Sequence, residues 1–173
     1  RDYYRAGEWC QVADGTGGAT VDLQGALWAD YTAAGVDVYK HPAKHFWIGG
    51  GTLTILESTD VAMNGKAGFR ADRVVDSDFS AIRPTNSGYG GMLLVQCLNI
   101  TGTGYRLNQH RLTTGGVYYG LVMANCWGID IDGKFHGGRH AVTTGGFDIV
   151  GGVPNRQIRV KGYFSNSPDA LGG

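Results

Sequence analysis

The chain reads as an all-β solenoid, a parallel β-helix, on three observations. Glycine supplies 30 of 173 residues, well above the usual ~7%, while 42% of the chain is hydrophobic, enough for a core. From residue 46 onward, short apolar runs broken by Gly, Asn, Asp and Ser follow one another, with one convincing helix before them. The sequence also repeats itself at a period of about 30 residues. Collagen is excluded because no G-X-Y period accompanies the glycine, and a flexible linker because Pro, Ser and Gln are not enriched. The length suits one domain.

Residues 1–45 form an opening segment. Gly15, Gly17 and Gly18 precede Thr20 and Asp22, either of which can cap a helix. Over 21–34, Leu23, Leu27, Tyr31 and Ala34 share one face at helical spacing. Gly35 stops that helix as a residue free to adopt the left-handed conformation, and Val36-Asp37-Val38-Tyr39 alternates like a first strand. Residues 46–173 then supply the coils, incomplete at the C-terminal end. Their candidate strands are 46–48, 52–56, 74–79, 92–97, 118–123 and 157–160.

Repetition decides between a sandwich and a solenoid. The octapeptide starting at Cys97 aligns with the one starting at Cys126, matching Cys97 to Cys126, Ile100 to Ile129 and Gly104 to Gly133. Thr113-Thr114-Gly115-Gly116 recurs as Thr143-Thr144-Gly145-Gly146. A weaker third copy sets Val160 against Cys126, Gly162 against Gly128 and Tyr163 against Ile129, with an insertion around 151–155. A straight strand would point Cys126 and Ile129 to opposite faces. A left-handed corner at Asn99, Gly128 or Gly162 turns both flanking side chains inward. Strand, corner and strand, repeated, make one coil of a parallel β-helix.

Bulk properties narrow the partners. Fifteen basic and fifteen acidic residues cancel to zero net charge, whereas a nucleic-acid binder normally carries a basic excess. No apolar run reaches the ~18 residues of a membrane span. Cys10, Cys97 and Cys126 are odd in number and lack a C-x-x-C pair. Reduced, buried thiols are expected rather than a disulfide framework or a zinc site, and no cofactor is implied. The ends, Arg1 and Gly173, are those expected of a processed product or of one piece of a longer polypeptide.

The repeat, together with Val12-Ala13-Asp14-Gly15-Thr16 and the helix that contains Asp22, Gln24, Ala26 and Leu27, resembles the pectate-lyase-like right-handed parallel β-helix superfamily. The form it is similar to is that of bacteriophage tailspikes and tail-fibre depolymerases, which open with such a turn and a helix covering the first coil. The resemblance implies a homotrimeric spike on the virion tail, acting outside the cell beside other tail or baseplate proteins. It implies host surface polysaccharide as ligand. Some relatives cleave that ligand by hydrolysis or elimination, and others only bind it.

The candidate chemistry follows from position. Asp130 and Asp132 flank Ile131, so alternation sets both carboxylates outward, roughly 7 Å apart at ~3.3 Å rise per residue. That is close to the ~6.5–9.5 Å of an inverting acid and base pair; a solvated outer face is the competing explanation. Asp76 and Asp78 repeat the arrangement, with Asp78 a candidate corner. Trp127 is expected outward, for stacking on a sugar ring or packing against a neighbouring subunit. His136, Arg139 and His140 precede a corner as His110 and Arg111 do, and suit a sugar carboxylate or proton transfer as well as they suit a solvated loop. No metal site is expected among them. Gly49-Gly50-Gly51 lacks a following helix and is a turn, not a phosphate cradle.

The expected function is therefore a tailspike or tail-fibre segment that binds host polysaccharide and, in its hydrolytic version, uses Asp130 and Asp132 as catalytic pair. The sugar-binding residues of that version are Trp127, His136, Arg139 and His140. Two alternatives stand beside it. One is a non-catalytic structural or adhesive module of the virion tail, and the other is a secreted bacterial polysaccharide lyase or glycosidase.

Overall fold

The structure, a computed structural model, describes residues 47–48, 53–55, 67–84, 90–109, 119–145 and 153–165. The helix at 21–34, the strand at 36–39, Cys10, His110, Arg111 and the first Thr-Thr-Gly-Gly lie outside the described residues.

Eleven strands form among them: β1 (Trp47–Ile48), β2 (Leu53–Ile55), β3 (Ala67–Asp72), β4 (Val75–Phe79), β5 (Ile82–Pro84), β6 (Gly90–Val95), β7 (Leu98–Gln109), β8 (Tyr119–Ala124), β9 (Trp127–Gly137), β10 (His140–Gly145) and β11 (Arg156–Ser165). They build a five-stranded sheet in the order β1-β4-β7-β9-β11, a four-stranded sheet in the order β10-β8-β6-β3, and a β2-β5 pair. Every pairing among the described residues is parallel. The chain passes from the four-stranded to the five-stranded sheet and returns one rung further on, which is the winding of a parallel β-helix.

The core is a set of interior stacks, because residues in register on successive coils place like side chains on top of one another. Phe69, Met92 and Leu121 stand in register on one sheet, and Ala71, Leu94 and Met123 beside them. Ile100 and Ile129 pair on the other sheet and are fully buried. The Leu107–Phe135 pair continues to Phe164, whose ring stacks on Phe135 at 5.1 Å. Cys97 and Cys126 are buried free thiols on adjacent coils, as expected; burial pushes the Cys126 thiol up.

Two columns of left-handed residues mark the turn between the four-stranded and five-stranded sheets. One runs Arg73, Gln96, Asn125 and the other Asp76, Asn99, Gly128, Gln157. Asn99 and Gly128 are the corners the repeat required, with φ of 53° and 69°. Asp76 rather than Asp78 is the earlier corner, and Asp78 lies inside β4.

The third repeat copy has a different register. Arg156 pairs with Trp127, Val160 with Ile131 and Gly162 with Gly133. Gln157 therefore occupies the corner assigned to Gly162, and Tyr163 faces outward beside Lys134, not inward as Ile129 does. The expected insertion exists slightly earlier, over 146–154, where the preceding coil has Asn125 alone between Ala124 and Cys126. Asn155 follows it. Its amide donates to the carbonyls of Met123 (3.1 Å) and Gly145 (2.6 Å), and its oxygen accepts from the Cys126 N–H (2.7 Å). The second Thr-Thr-Gly-Gly is no corner at its start, since Thr143 and Thr144 lie in β10 opposite Val122 and Met123.

Between Gly102 and Tyr105 the β7–β9 register shifts, so Tyr105, not Gly104, meets Gly133. Gly102 pairs with inward Ile131 and has no side chain to contribute to the core. The Tyr105 ring fills that space: a Cβ on Gly102 would overlap both the Tyr105 hydroxyl and the Phe79 carbonyl.

Candidate functional site

The outer face of the five-stranded sheet carries most of the polar residues singled out by sequence. Ile129 and Ile131 are fully buried, so Asp130 and Asp132 project from the opposite side of β9. Register sets Asp130 between Thr101 and Arg159, and Asp132 beside Lys161. Arg159 grips Asp130 with two donors, Nε at 3.0 Å and Nη2 on the second oxygen. That hydrogen-bonded guanidinium holds the Asp130 carboxyl below its ordinary range. Asp130 is consequently an ionised anchor with both oxygens occupied, while Asp132 makes no hydrogen bond or ion pair among the described residues.

The same ordering extends down the face. Thr101 and Ser80 donate to the two oxygens of Asp78 at 2.9 and 2.7 Å, and the Asn99 amide donates to Asp76 at 2.9 Å. Successive coils thus hold one another's outward polar groups.

Next to Asp132 the face sinks into a depression of about 450 Å³. Gly104, Gly133 and Gly162 line it together with Tyr105, and Arg83, Asp132, Lys134 and Tyr163 complete the lining. Two of these glycines cannot carry side chains. A Cβ on Gly133 would come within 2.6 Å of the Tyr105 Cβ, and one on Gly162 would overlap the Gly133 carbonyl. Arg83, Asp132, Lys134 and Tyr163 are all exposed, which leaves two cations, a carboxylate and a phenol free to meet a hydroxylated ligand.

Besides Asp132, which lines the depression, His136 reaches it through the Tyr163 ring, and Trp127, Arg139 and His140 do not. His136 is 7% exposed, with its imidazole 5.4 Å from the Tyr163 ring. Arg139 and His140 instead engage Tyr119 of the four-stranded sheet. Arg139 donates to the Tyr119 hydroxyl at 3.4 Å, and His140 stacks on the ring at 5.8 Å. Trp127 corrects the expectation of an exposed indole. It is 6% exposed, and the Arg156 guanidinium lies 5.6 Å from its ring centre, so its face is already occupied by a cation. No group of three metal-ligating side chains occurs among the described residues.

Sequence reasoning missed Arg83, Lys134 and Tyr163. Arg83 sits in a three-residue strand with no counterpart in the repeat. Tyr163 was legible in principle, because carrying the 29-residue offset of Cys97 and Cys126 into the next coil sets it against Lys134.

Comparison with known proteins places this architecture. The family model described as Gp49, pectin lyase-like, matches residues 85–172. Among solved structures, the tailspike protein gp49 from Pseudomonas phage LKA1 is similar at 30% identity and a TM-score of 0.70. The match covers 92% of this chain and 26% of that one, so the chain spans about a quarter of the tailspike's length. No curated protein matches it.

Proposed function

The chain belongs to the Gp49, pectin lyase-like family, and from this membership we propose that it is a phage tailspike segment that binds polysaccharide on the host cell surface. The observation that carries the proposal is the depression on the outer face, lined by its glycines and by Arg83, Asp132, Lys134 and Tyr163. A pyranose ring presents C–H faces and a rim of hydroxyls. The glycines leave room for the ring, Asp132 accepts from hydroxyls, and Arg83 and Lys134 donate to hydroxyl or carboxylate oxygens. His136 belongs to this site through Tyr163. Arg139 and His140, around Tyr119, offer a second contact for a long chain, and Trp127 serves beneath Arg156 as support. A homotrimer on the virion tail, joined to other tail proteins, is the assembly this function calls for.

Binding of purified bacterial surface polysaccharides by the intact protein tests the site. R83A/K134A is expected to weaken binding at least tenfold with the melting temperature retained. Unchanged affinity in that variant refutes the depression as the binding site.

A depolymerising activity is the second reading, favoured by the outward Asp130 and Asp132. Arg159 holds both Asp130 oxygens, so in this reading the ion pair opens on substrate binding before Asp130 acts as the base, with Asp132 the acid, of an inverting pair. In this step Asp130 takes a proton from water, the water oxygen bonds to the anomeric carbon, and Asp132 protonates the departing glycosidic oxygen. D130N/D132N is expected to abolish release of reducing ends from a polysaccharide that the wild type shortens. Undiminished release removes both residues from the mechanism.

A further inference from the structure

We infer that Tyr163 is the sugar-stacking residue of the depression, aimed at its ligand by Gly162 and backed by His136, and that it selects a hexopyranose with one uninterrupted C–H face. The inference rests on the polysaccharide-binding proposal and adds the residue that sets the preference for sugar type.

Tyr163 and Phe164 are the exposed large hydrophobic side chains among the described residues, at 57% and 47%. Their exposures have different origins. Phe164 continues the interior Leu107–Phe135 stack, and its ring lies nearly parallel to Phe135, at 10°. Tyr163 pairs with outward Lys134 and borders the depression; its exposure is that of a side chain on the outer wall. An aromatic ring left in water beside a hollow forgoes the burial that would otherwise stabilise it, and gains it when an apolar face is laid against it.

Two neighbours fix the ring before any ligand arrives. Gly162 has φ of +128°, a conformation that residues with a side chain rarely adopt, and this sets the direction in which β11 presents Tyr163. His136 lies against the ring at 5.4 Å and 46°, and is itself held in β9 at 7% exposure. A tyrosine has few rotatable bonds, so a ring supported on one side loses little freedom on binding. The ring borders the depression beside Gly162. Arg83, Asp132 and Lys134 then orient the hydroxyls around the stacked ring. A sugar whose axial substituents interrupt both faces cannot lie flat on Tyr163 and is disfavoured.

The test uses the intact protein and a panel of purified capsular and O-chain polysaccharides of known composition. Y163A is expected to lower affinity for the bound polysaccharide roughly tenfold without moving the melting temperature. Y163F and Y163W are expected to keep it, since the ring and not the hydroxyl makes the contact. In Y163W the new indole is expected to change fluorescence as polysaccharide is added, a signal that a purely structural role would not give. Full affinity in Y163A together with loss in R83A/K134A overturns the assignment of Tyr163 and leaves the depression as the site. Full affinity in both variants overturns the binding site as well.

Discussion

Removing the hydroxyl of Tyr105 should stabilise the protein. The side chain is 2% exposed, and its oxygen is buried without a hydrogen-bond partner. An unsatisfied buried hydroxyl costs about 1–3 kcal/mol. Tyr105→Phe keeps the ring that fills the space over Gly102 and leaves a void smaller than a methyl group, which costs less than about 1 kcal/mol. The net expectation is a gain of about 1 kcal/mol, or ~2–4 °C in melting temperature for a domain of this size. A pH series adds a second handle. Burial, with a smaller contribution from the charge of Asp78, raises the Tyr105 phenol above its ordinary range. A group raised in the folded state contributes stability that is intact below its unfolded pKa of ~10 and is lost as pH climbs beyond it. The advantage of Y105F should therefore be flat from about pH 6 to 9 and grow above about 10. Denaturant unfolding of wild type and Y105F across that range measures both. A loss exceeding about 1 kcal/mol in Y105F at neutral pH would refute the reasoning, because it would mean the hydroxyl has a partner worth keeping. Gly102→Ala is the control of opposite sign, since its Cβ overlaps the Phe79 carbonyl and should cost about 3 kcal/mol or more.

Three further outcomes are expected. Asn155→Ala removes three hydrogen bonds that tie the entry to β11 onto Met123, Cys126 and Gly145 and should cost about 2–4 kcal/mol by denaturant unfolding; a loss under about 0.5 kcal/mol contradicts that role. In an NMR titration, Asp130 should titrate below the usual ~3.9, and Arg159→Gln should move it back up; an Asp130 midpoint unaffected by R159Q contradicts the ion pair. The pair's stabilisation is present above ~3.9 and lost as pH falls through the lowered value, so R159Q should matter least in strong acid. Iodoacetamide followed by peptide mapping should leave Cys97 and Cys126 unmodified in the native protein and label both after unfolding. Native labelling at either position means the core opens.

Much of the winding was legible because solenoid geometry is local. A corner needs a residue that tolerates positive φ, and Asn99 and Gly128 announce one in the sequence. Cys97 and Cys126 announce the interior position beside it. Arg73, Gln96 and Gln157 turn the same kind of corner without an obvious signal. Their conformations are imposed by hydrogen bonds between coils, such as the Arg73 N–H to the Val95 carbonyl at 2.9 Å and the Gln96 N–H to the Ala124 carbonyl at 2.9 Å. Local propensity cannot reveal a corner held from the next rung. Trp127 shows the same limit from the other side. Its outward position follows from alternation, but its burial depends on Arg156, which only the register between coils brings over the ring.

By itself the sequence determined the kind of fold, the interior stacks, the outward pairing of Asp130 with Asp132 and the family resemblance, because each depends on residue type and on spacing within a coil. Register between coils was decided by the tertiary structure alone. It took Asp130 into the grip of Arg159 and moved Tyr163 from the interior to a glycine-lined depression on the outer face. The physical reason is that a parallel rung is held by backbone hydrogen bonds, which any side chain permits. Which residues become neighbours across rungs is therefore settled by bulges, loop lengths and core packing around the whole coil.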